Sequence, residues 1–420
     1  MNVYKPRLID SILAEELEAF GGVLLTGPKW CGKTTTASQQ TQSRLFMQDP
    51  DNQENYRQLA EIQPSVLLQG ANPRLIDEWQ MAPGLWDAIR HDIDMRGEEG
   101  LYILTGSTSI DEAKIKHSGA GRISRLKMFT MSLFESNDST GSISLKGVFE
   151  NQRVHGQESN LGVSDYARLV CRGGWPNTIG KRDEIARKQI EGYCNTICSS
   201  DISTVDGIQR DADKVKAVLY AYSRNISTQA LNTTILADIS PNHANFHIHT
   251  LESYISALNK LYVVDEIPAW SPKLRSRTTI RTSNTRHFID PAIAAFFLGA
   301  SDKDLLFDMH TFGLLFESMV VRDLRVYAQK LNGKIYHYRD KAGLEIDSVV
   351  HLSDGRWGSI EVKLGINQVD LAASHLLKLK ERVDVEKMHA PSFLMVVTGT
   401  RFAYTREDGV VVVPLGCLGP

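Results

Sequence analysis

Val23-Leu24-Leu25-Thr26-Gly27-Pro28-Lys29-Trp30-Cys31-Gly32-Lys33-Thr34-Thr35 is the stretch that decides the fold. A short apolar strand, residues 22–26, runs into the pattern G-x-x-x-x-G-K-[ST], and a helix-forming run follows. Glycines at that spacing let successive backbone N–H groups curl around phosphate oxygens. The helix that starts behind them adds the positive end of its dipole. Lys33 then reaches the outer phosphates as a point charge, and the Thr34 hydroxyl is placed to hold Mg²⁺. Gly27, Pro28, Cys31, Gly32, Lys33, Thr34 and Thr35 are therefore expected to line a nucleotide site.

Working outward, Arg74-Leu75-Ile76-Asp77-Glu78 is a second apolar strand, and it ends in two acids. Asp77 is expected to bind Mg²⁺ and Glu78 to polarise an attacking water. Leu101–Thr105 is a third strand, with Gly106 and Ser107 at its end; a hydroxyl there suits the γ-phosphate or the water. Short strands alternating with helical stretches predict a parallel sheet covered by helices.

The chain has 420 residues, which at roughly 150 per domain gives two to three domains. Lys+Arg 47 against Asp+Glu 50 leaves a net charge of −3, so any nucleic-acid surface must be a local patch. No apolar run approaches the length of a membrane span, and Lys5, Arg7 and Asp10 argue against a signal peptide. The 5 cysteines are scattered, which favours a reducing cytoplasm over a disulfide framework. Cys194 and Cys198 read as residues on one helix face, and His243, His247 and His249 as helix or loop residues.

Residues 135–162 turn polar and read as a loop or inter-domain segment, broken by an apolar piece at 143–149. Helical periodicity dominates from 164 to 299. Within it, helices over 208–261 followed by the extended run 262–267 resemble a winged helix. Lys273, Arg275, Arg277, Arg281 and Arg286 then follow with no acid between Pro268 and Phe288. That composition suits contacts to DNA phosphates, or alternatively a basic hairpin packed on acidic neighbours.

From 311 the pattern changes again. A helix over 312–330 precedes strand candidates at 334–338, 344–351, 358–364, 392–398 and 409–414. Period two puts Glu345 and Asp347 on one face, and Glu361 and Lys363 on one face. A hairpin would make Asp347 and Glu361 cross-strand neighbours. Paired carboxylates repel unless a cation joins them, and hard oxygen ligands suit Mg²⁺ or Mn²⁺. Glu317, on the helix, and Lys363 complete the candidate set, with Gln368 nearby. An ion-paired hairpin is the plain alternative.

The phosphate loop, Leu75–Gln80, Leu104–Ser107, Ser118–Arg122, Ser132–Glu135, Gly173–Pro176 and Phe288–Pro291 together resemble prokaryotic AAA+ ATPases carrying a C-terminal domain of unknown function 4143. Glu317, Asp347 and Glu361-x-Lys363 resemble the PD-(D/E)xK nuclease superfamily, although Ile346 stands where that family places Pro. The resemblances imply an α/β protein in three parts. These are an AAA+ P-loop ATPase domain (1–145), a helical, winged-helix-like region (146–305) and a restriction-endonuclease-like domain (306–420). They imply ATP and Mg²⁺ as cofactors. They also imply Arg122, with Arg125 as the alternative, as an arginine finger in a hexameric ring. A cytoplasmic motor on branched DNA, resembling junction-processing enzymes, is the expected function. A regulatory switch with a protein partner and an ATP-gated nuclease are the alternatives.

Overall fold

A computed structural model describes residues 4–108, 117–243, 245–272, 283–386 and 388–420. The chain divides into two compact units, Met1–Phe129 with Lys260–Tyr262, and Thr130–Asn259 with Val263–Pro420. The three-part division expected at 145 and 305 therefore differs from the two-unit packing. The first unit closes 16 residues earlier than expected (145 − 129), and the helical and C-terminal parts share one body.

The first unit is built on five parallel strands: β1 (Gly22–Thr26), β2 (Ser43–Phe46), β3 (Arg74–Asp77), β4 (Tyr102–Gly106) and β5 (Ile123–Lys127). Their order is β2-β3-β4-β1-β5, so one strand separates the phosphate-loop strand β1 from the acid-bearing strand β3. Period two divides the side chains between two cores. Leu24, Ile76 and Leu104 pack with Leu85, Trp86, Ile89 and Ile93 of the helix Gly84–Arg96. Val23, Leu25, Leu75 and Ile103 face the helix Ile9–Ala19 through Ile9, Leu13 and Leu17. Burial on both faces is why these strands read as continuous apolar runs.

In the second unit, the polar segment 135–162 is not a linker. Ile143–Ser144 forms β6, which pairs in parallel with β14 (Leu418–Gly419). His155–Glu158 forms β7, the edge of a seven-stranded sheet. The remaining strands are β8 (Gly333–Arg339), β9 (Glu345–Leu352), β10 (Trp357–Lys363), β11 (Phe393–Thr398), β12 (Phe402–Thr405) and β13 (Val411–Pro414). Their order is β7-β12-β13-β11-β10-β9-β8. The helix Val369–Arg382 packs Val369, Ala372, Ala373, Leu376 and Leu379 against Val349, Trp357, Leu394 and Val396 of the sheet. The helices Ala212–Arg224, Asn232–Ile239 and Ile248–Lys260 precede two antiparallel bridges, Val264 to Phe288 and Ile267 to Thr285.

The motifs at 132–135, 173–176 and 288–291 converge on a buried polar knot. Asp290 Oδ2 accepts from the Thr130 hydroxyl (2.9 Å), the Gly174 amide (2.9 Å) and Arg322 Nη1 (3.3 Å). Arg322 also donates twice to Asp323 Oδ1, at 2.9 and 2.8 Å, while Asp323 Oδ2 accepts from the Leu133 amide at 3.0 Å. All three charged residues are buried. Burial works against the Arg322 guanidinium, yet Asp323 and Asp290 outweigh it and hold its pKa above the ordinary value. These motifs tie distant segments of one unit together; they carry structure rather than chemistry. The knot also shows that Arg322 pairs with Asp290 and Asp323, not with Glu317.

Candidate functional site

Three strand ends meet at the phosphate loop. Gly27 holds a φ of +150°, and a Cβ there would stand 2.2 Å from the Met128 carbonyl oxygen, so only glycine fits. Cys31 is buried, and its carbonyl accepts from Arg7 Nη1 at 2.9 Å, which fixes the crest of the loop from behind. Lys33 Nζ folds back on the loop, donating to the carbonyls of Gly27 (3.0 Å) and Pro28 (2.8 Å). The ammonium is thus kept over the cradle, where an incoming phosphate offers it stronger acceptors.

Asp77 sits between two hydroxyls. Thr34 Oγ1 donates to its Oδ1 at 2.7 Å, and Thr105 Oγ1 donates to the same oxygen at 2.5 Å. A hydroxyl and a carboxylate side by side form a hard-oxygen donor set of the kind Mg²⁺ takes beside phosphates, so these residues fit that ion. Glu78 lies one residue further on, with φ of +52°. Its amide donates to Thr105 Oγ1 at 3.3 Å, and its carboxylate reaches the residue just after β4. There Ser107 Oγ donates to Glu78 Oε2 at 3.1 Å, and Gln80 Nε2 donates to the same oxygen. The two neighbouring acids therefore have different partners.

Arg122 is exposed and ion-paired with Asp94 at 2.7 Å, and Arg90 holds the other oxygen of Asp94 at 2.6 Å. Arg122 lowers the Asp94 pKa through that hydrogen bond. In the single chain the expected finger is thus engaged on its own domain's surface. Arg125 lies over the Trp86 ring, 5.8 Å from its centre.

The C-terminal carboxylates do meet. The β9–β10 ladder runs from Trp357/His351 to Ile360/Ser348 and ends there, one pair before Asp347 and Glu361. The strands part, and Asp347 Oδ2 turns in to accept from the Val362 amide (2.8 Å) and Lys363 Nζ (3.1 Å). Lys363 Nζ also bonds Glu361 Oε2 at 2.7 Å, and His375 Nδ1 stands 3.4 Å from Glu361 Oε1. Burial, and then Asp347, push the Glu361 carboxyl up to about 8. The same two causes raise Glu317 well above the carboxylate range. For Lys363, Asp347 and Glu361 outweigh the effect of burial and raise its pKa.

The expected metal set is not assembled. Among the described residues, no group of three or more His, Cys, Asp or Glu side chains stands ready to hold a metal. The cation between Asp347 and Glu361 is the Lys363 ammonium itself, and a metal ion there would have to take its place. Gln368 is exposed.

The basic segment divides. Lys273, Arg275, Arg277 and Arg281 lie outside the described residues. Arg286, expected among the DNA contacts, is instead buried and committed internally. It bonds Glu266 Oε1 at 2.5 Å, Asn232 Oδ1 at 2.7 Å and the Ala230 carbonyl at 3.0 Å, and lies over the Tyr222 ring. A guanidinium with these partners braces the bridged ribbon and is not offered to phosphate. Sequence reading singles out Ser107 but passes over Thr105, Gln80 and His375 as site residues. For Thr105 and Gln80 the available signal was their place in the quoted stretches Leu104–Ser107 and Leu75–Gln80.

Residues 20–137 match the AAA domain family. Residues 163–304 match a domain of unknown function, DUF8612, and residues 312–418 match another, DUF4143. The first unit is thus a P-loop ATPase domain of the AAA type, joined to a C-terminal DUF4143 domain. No curated protein matches the chain. A solved Walker-type ATPase of Pyrococcus abyssi is 11% identical and aligns over 70% of this chain and 96% of its own, with a TM-score of 0.39. Among the described residues, no helix is long and apolar enough to cross a membrane.

Proposed function

We propose that this chain is a Mg²⁺-dependent ATPase that acts on DNA in the cytoplasm, as a ring, with branched DNA as the preferred substrate. The observation that carries the ATPase part is the division of labour between Asp77, held by Thr34 and Thr105, and Glu78, held by Ser107 and Gln80. Lys33 leaves the Gly27 and Pro28 carbonyls for the phosphates. Thr34 and Asp77 would hold Mg²⁺, which neutralises charge on the phosphate oxygens when bound. Glu78 orients the attacking water and takes its proton. In a ring, Arg122 leaves Asp94 to serve a neighbour's site; its exposure supports that reading.

DNA action is supported by the order helix–β8–β9–β10–helix–β11 with Asp347, Glu361 and Lys363 gathered where β9 and β10 part. The three helices before the bridged ribbon support a winged-helix-like reading of the middle region. The deciding measurement is ATP turnover with no DNA, linear duplex, single strand and a four-way junction. Junction stimulation above the linear controls is expected. Flat turnover across all four, with ATP bound, would replace the motor with a regulatory switch that answers to a protein partner.

The carboxylate cluster favours one second reading, an ATP-gated nuclease. It requires Mg²⁺ or Mn²⁺ to displace Lys363 from between Asp347 and Glu361. Metal-dependent cutting that disappears in both Asp347→Ala and Glu361→Ala would establish it, and cutting that survives both would remove it.

A further inference from the structure

Gln80 sits on the one-turn helix Trp79–Met81, directly behind the acid pair. The turn is anchored by Trp79, which is buried and packs against Trp86 with ring centres 5.1 Å apart and planes tilted by 42°. Met81 closes it, its amide donating to the Glu78 carbonyl at 3.1 Å. Gln80 is thus carried on a short, rigid piece of chain that begins at Glu78 itself.

The orientation of its amide follows from the partner. An ionised carboxylate only accepts, so Nε2 and not Oε1 must face Glu78. Oε1 is buried and has no donor among the described residues. The amide therefore serves Glu78 and is not a link in the surrounding core. The amide lies close against position 106, which is glycine. A Cβ at Gly106 would stand 3.1 Å from Gln80 Oε1 and 3.4 Å from Trp79 Nε1. The run Thr105-Gly106-Ser107 then reads as one device: Thr105 holds Asp77, Gly106 lies against the Gln80 amide, and Ser107 holds Glu78.

Both donors to Glu78 land on Oε2. Among the described residues, no side chain donates to Oε1. Two donors on one oxygen fix the plane of the carboxylate, and the other oxygen keeps its lone pairs for a proton. Glu78 also stands in the left-handed backbone region, which an L-residue occupies only when its surroundings hold it there.

We infer that Gln80 is a positioning residue for ATP hydrolysis: its carboxamide, together with Ser107, holds Glu78 so that Oε1 faces the attacking water. The inference rests on the ATPase reading above. It gives Gln80 no contact with nucleotide, so binding and turnover should separate.

The test compares wild type, Gln80→Ala and Gln80→Glu for steady-state ATP turnover from pH 6 to 9 and for binding of AMP-PNP. Gln80→Ala should lower kcat about tenfold or more and leave KM for ATP and AMP-PNP affinity within about threefold, since only orientation of the base is lost. Gln80→Glu places a second carboxylate against Glu78. An ionised carboxylate has no donor to offer and repels Glu78, so kcat should fall at least as far as in Gln80→Ala, again with AMP-PNP affinity within about threefold. Wild-type kcat in Gln80→Ala would overturn the inference. So would a Gln80→Glu variant more active than Gln80→Ala, or a fall in AMP-PNP affinity that matches the fall in kcat. A wild-type protein that binds no ATP would instead defeat the ATPase reading itself.

Discussion

Two pairs of acids stand at strand ends in this chain, and they are held in opposite ways. Asp77 and Glu78 are adjacent in sequence, take different partners, and are held by neutral groups: two threonine hydroxyls, a serine hydroxyl and an amide. Asp347 and Glu361 are 14 positions apart (361 − 347), point together, and share one ammonium. Neutral donors fix geometry and leave a carboxylate's charge uncompensated, so the first pair is suited to receive cationic ligands. An ammonium compensates the charge in place, so the second pair is complete without a ligand. The difference teaches that an acid pair in a sequence says little about metal until the group between the acids is known.

The largest effects are expected at the first pair. Glu78→Gln should lower ATP turnover by about 10²- to 10⁴-fold while ATP still binds, whereas Lys33→Ala should lose nucleotide affinity as well. Turnover and binding measured side by side check both, and normal hydrolysis in either variant removes the assignment it tests.

The second pair is sharpened by deleting its cation. Lys363→Met leaves Asp347 and Glu361 facing each other without compensation. The loss should be about 2–4 kcal/mol at pH 8, somewhat below a fully buried pair because both partners keep some exposure. Denaturant unfolding measures it. An unchanged midpoint would mean that Lys363 is not what holds the cluster.

The smallest effect is the most specific to the cluster. Glu361 has a folded-state pKa near 8, raised above the unfolded value of about 4.3. The folded state therefore holds a proton that the unfolded state has released. The favourable contribution is full below about pH 4.3 and is lost as pH rises to about 8. Glu361→Gln removes that term, so its melting temperature should fall less than wild type's between pH 5 and pH 8. Parallel curves across that window would place Glu361 in a more polar setting than its burial suggests.

How much of this was legible beforehand follows from burial. Gly22–Thr26 and Phe393–Thr398 are enclosed on both faces and announce themselves as apolar runs. Ser43–Phe46 buries only Leu45, and His155–Glu158 buries no residue, so neither carries a period to read. Both are edge strands of their sheets. The acids at 77, 78, 347 and 361 were visible as residues, because each interrupts or follows an apolar strand. Their partners were not. Glu361 meets His375 across a helix–sheet contact, and Arg286 meets Glu266 across the bridged ribbon. A count of basic residues reports neither.

The pairing of β7 with β12 has a consequence for how the molecule is made. Glu158 bonds Arg401, and Val154 accepts from Thr405, across 243 and 251 residues of chain. At about 5–20 residues per second, the edge strand emerges from the ribosome roughly 12–50 s before its neighbour exists. It is polar enough to wait in water. The first unit is finished before that interval begins, save for Lys260–Tyr262. Synthesis therefore delivers an ATPase domain early and a second body whose sheet closes only once residues 402–414 have been made.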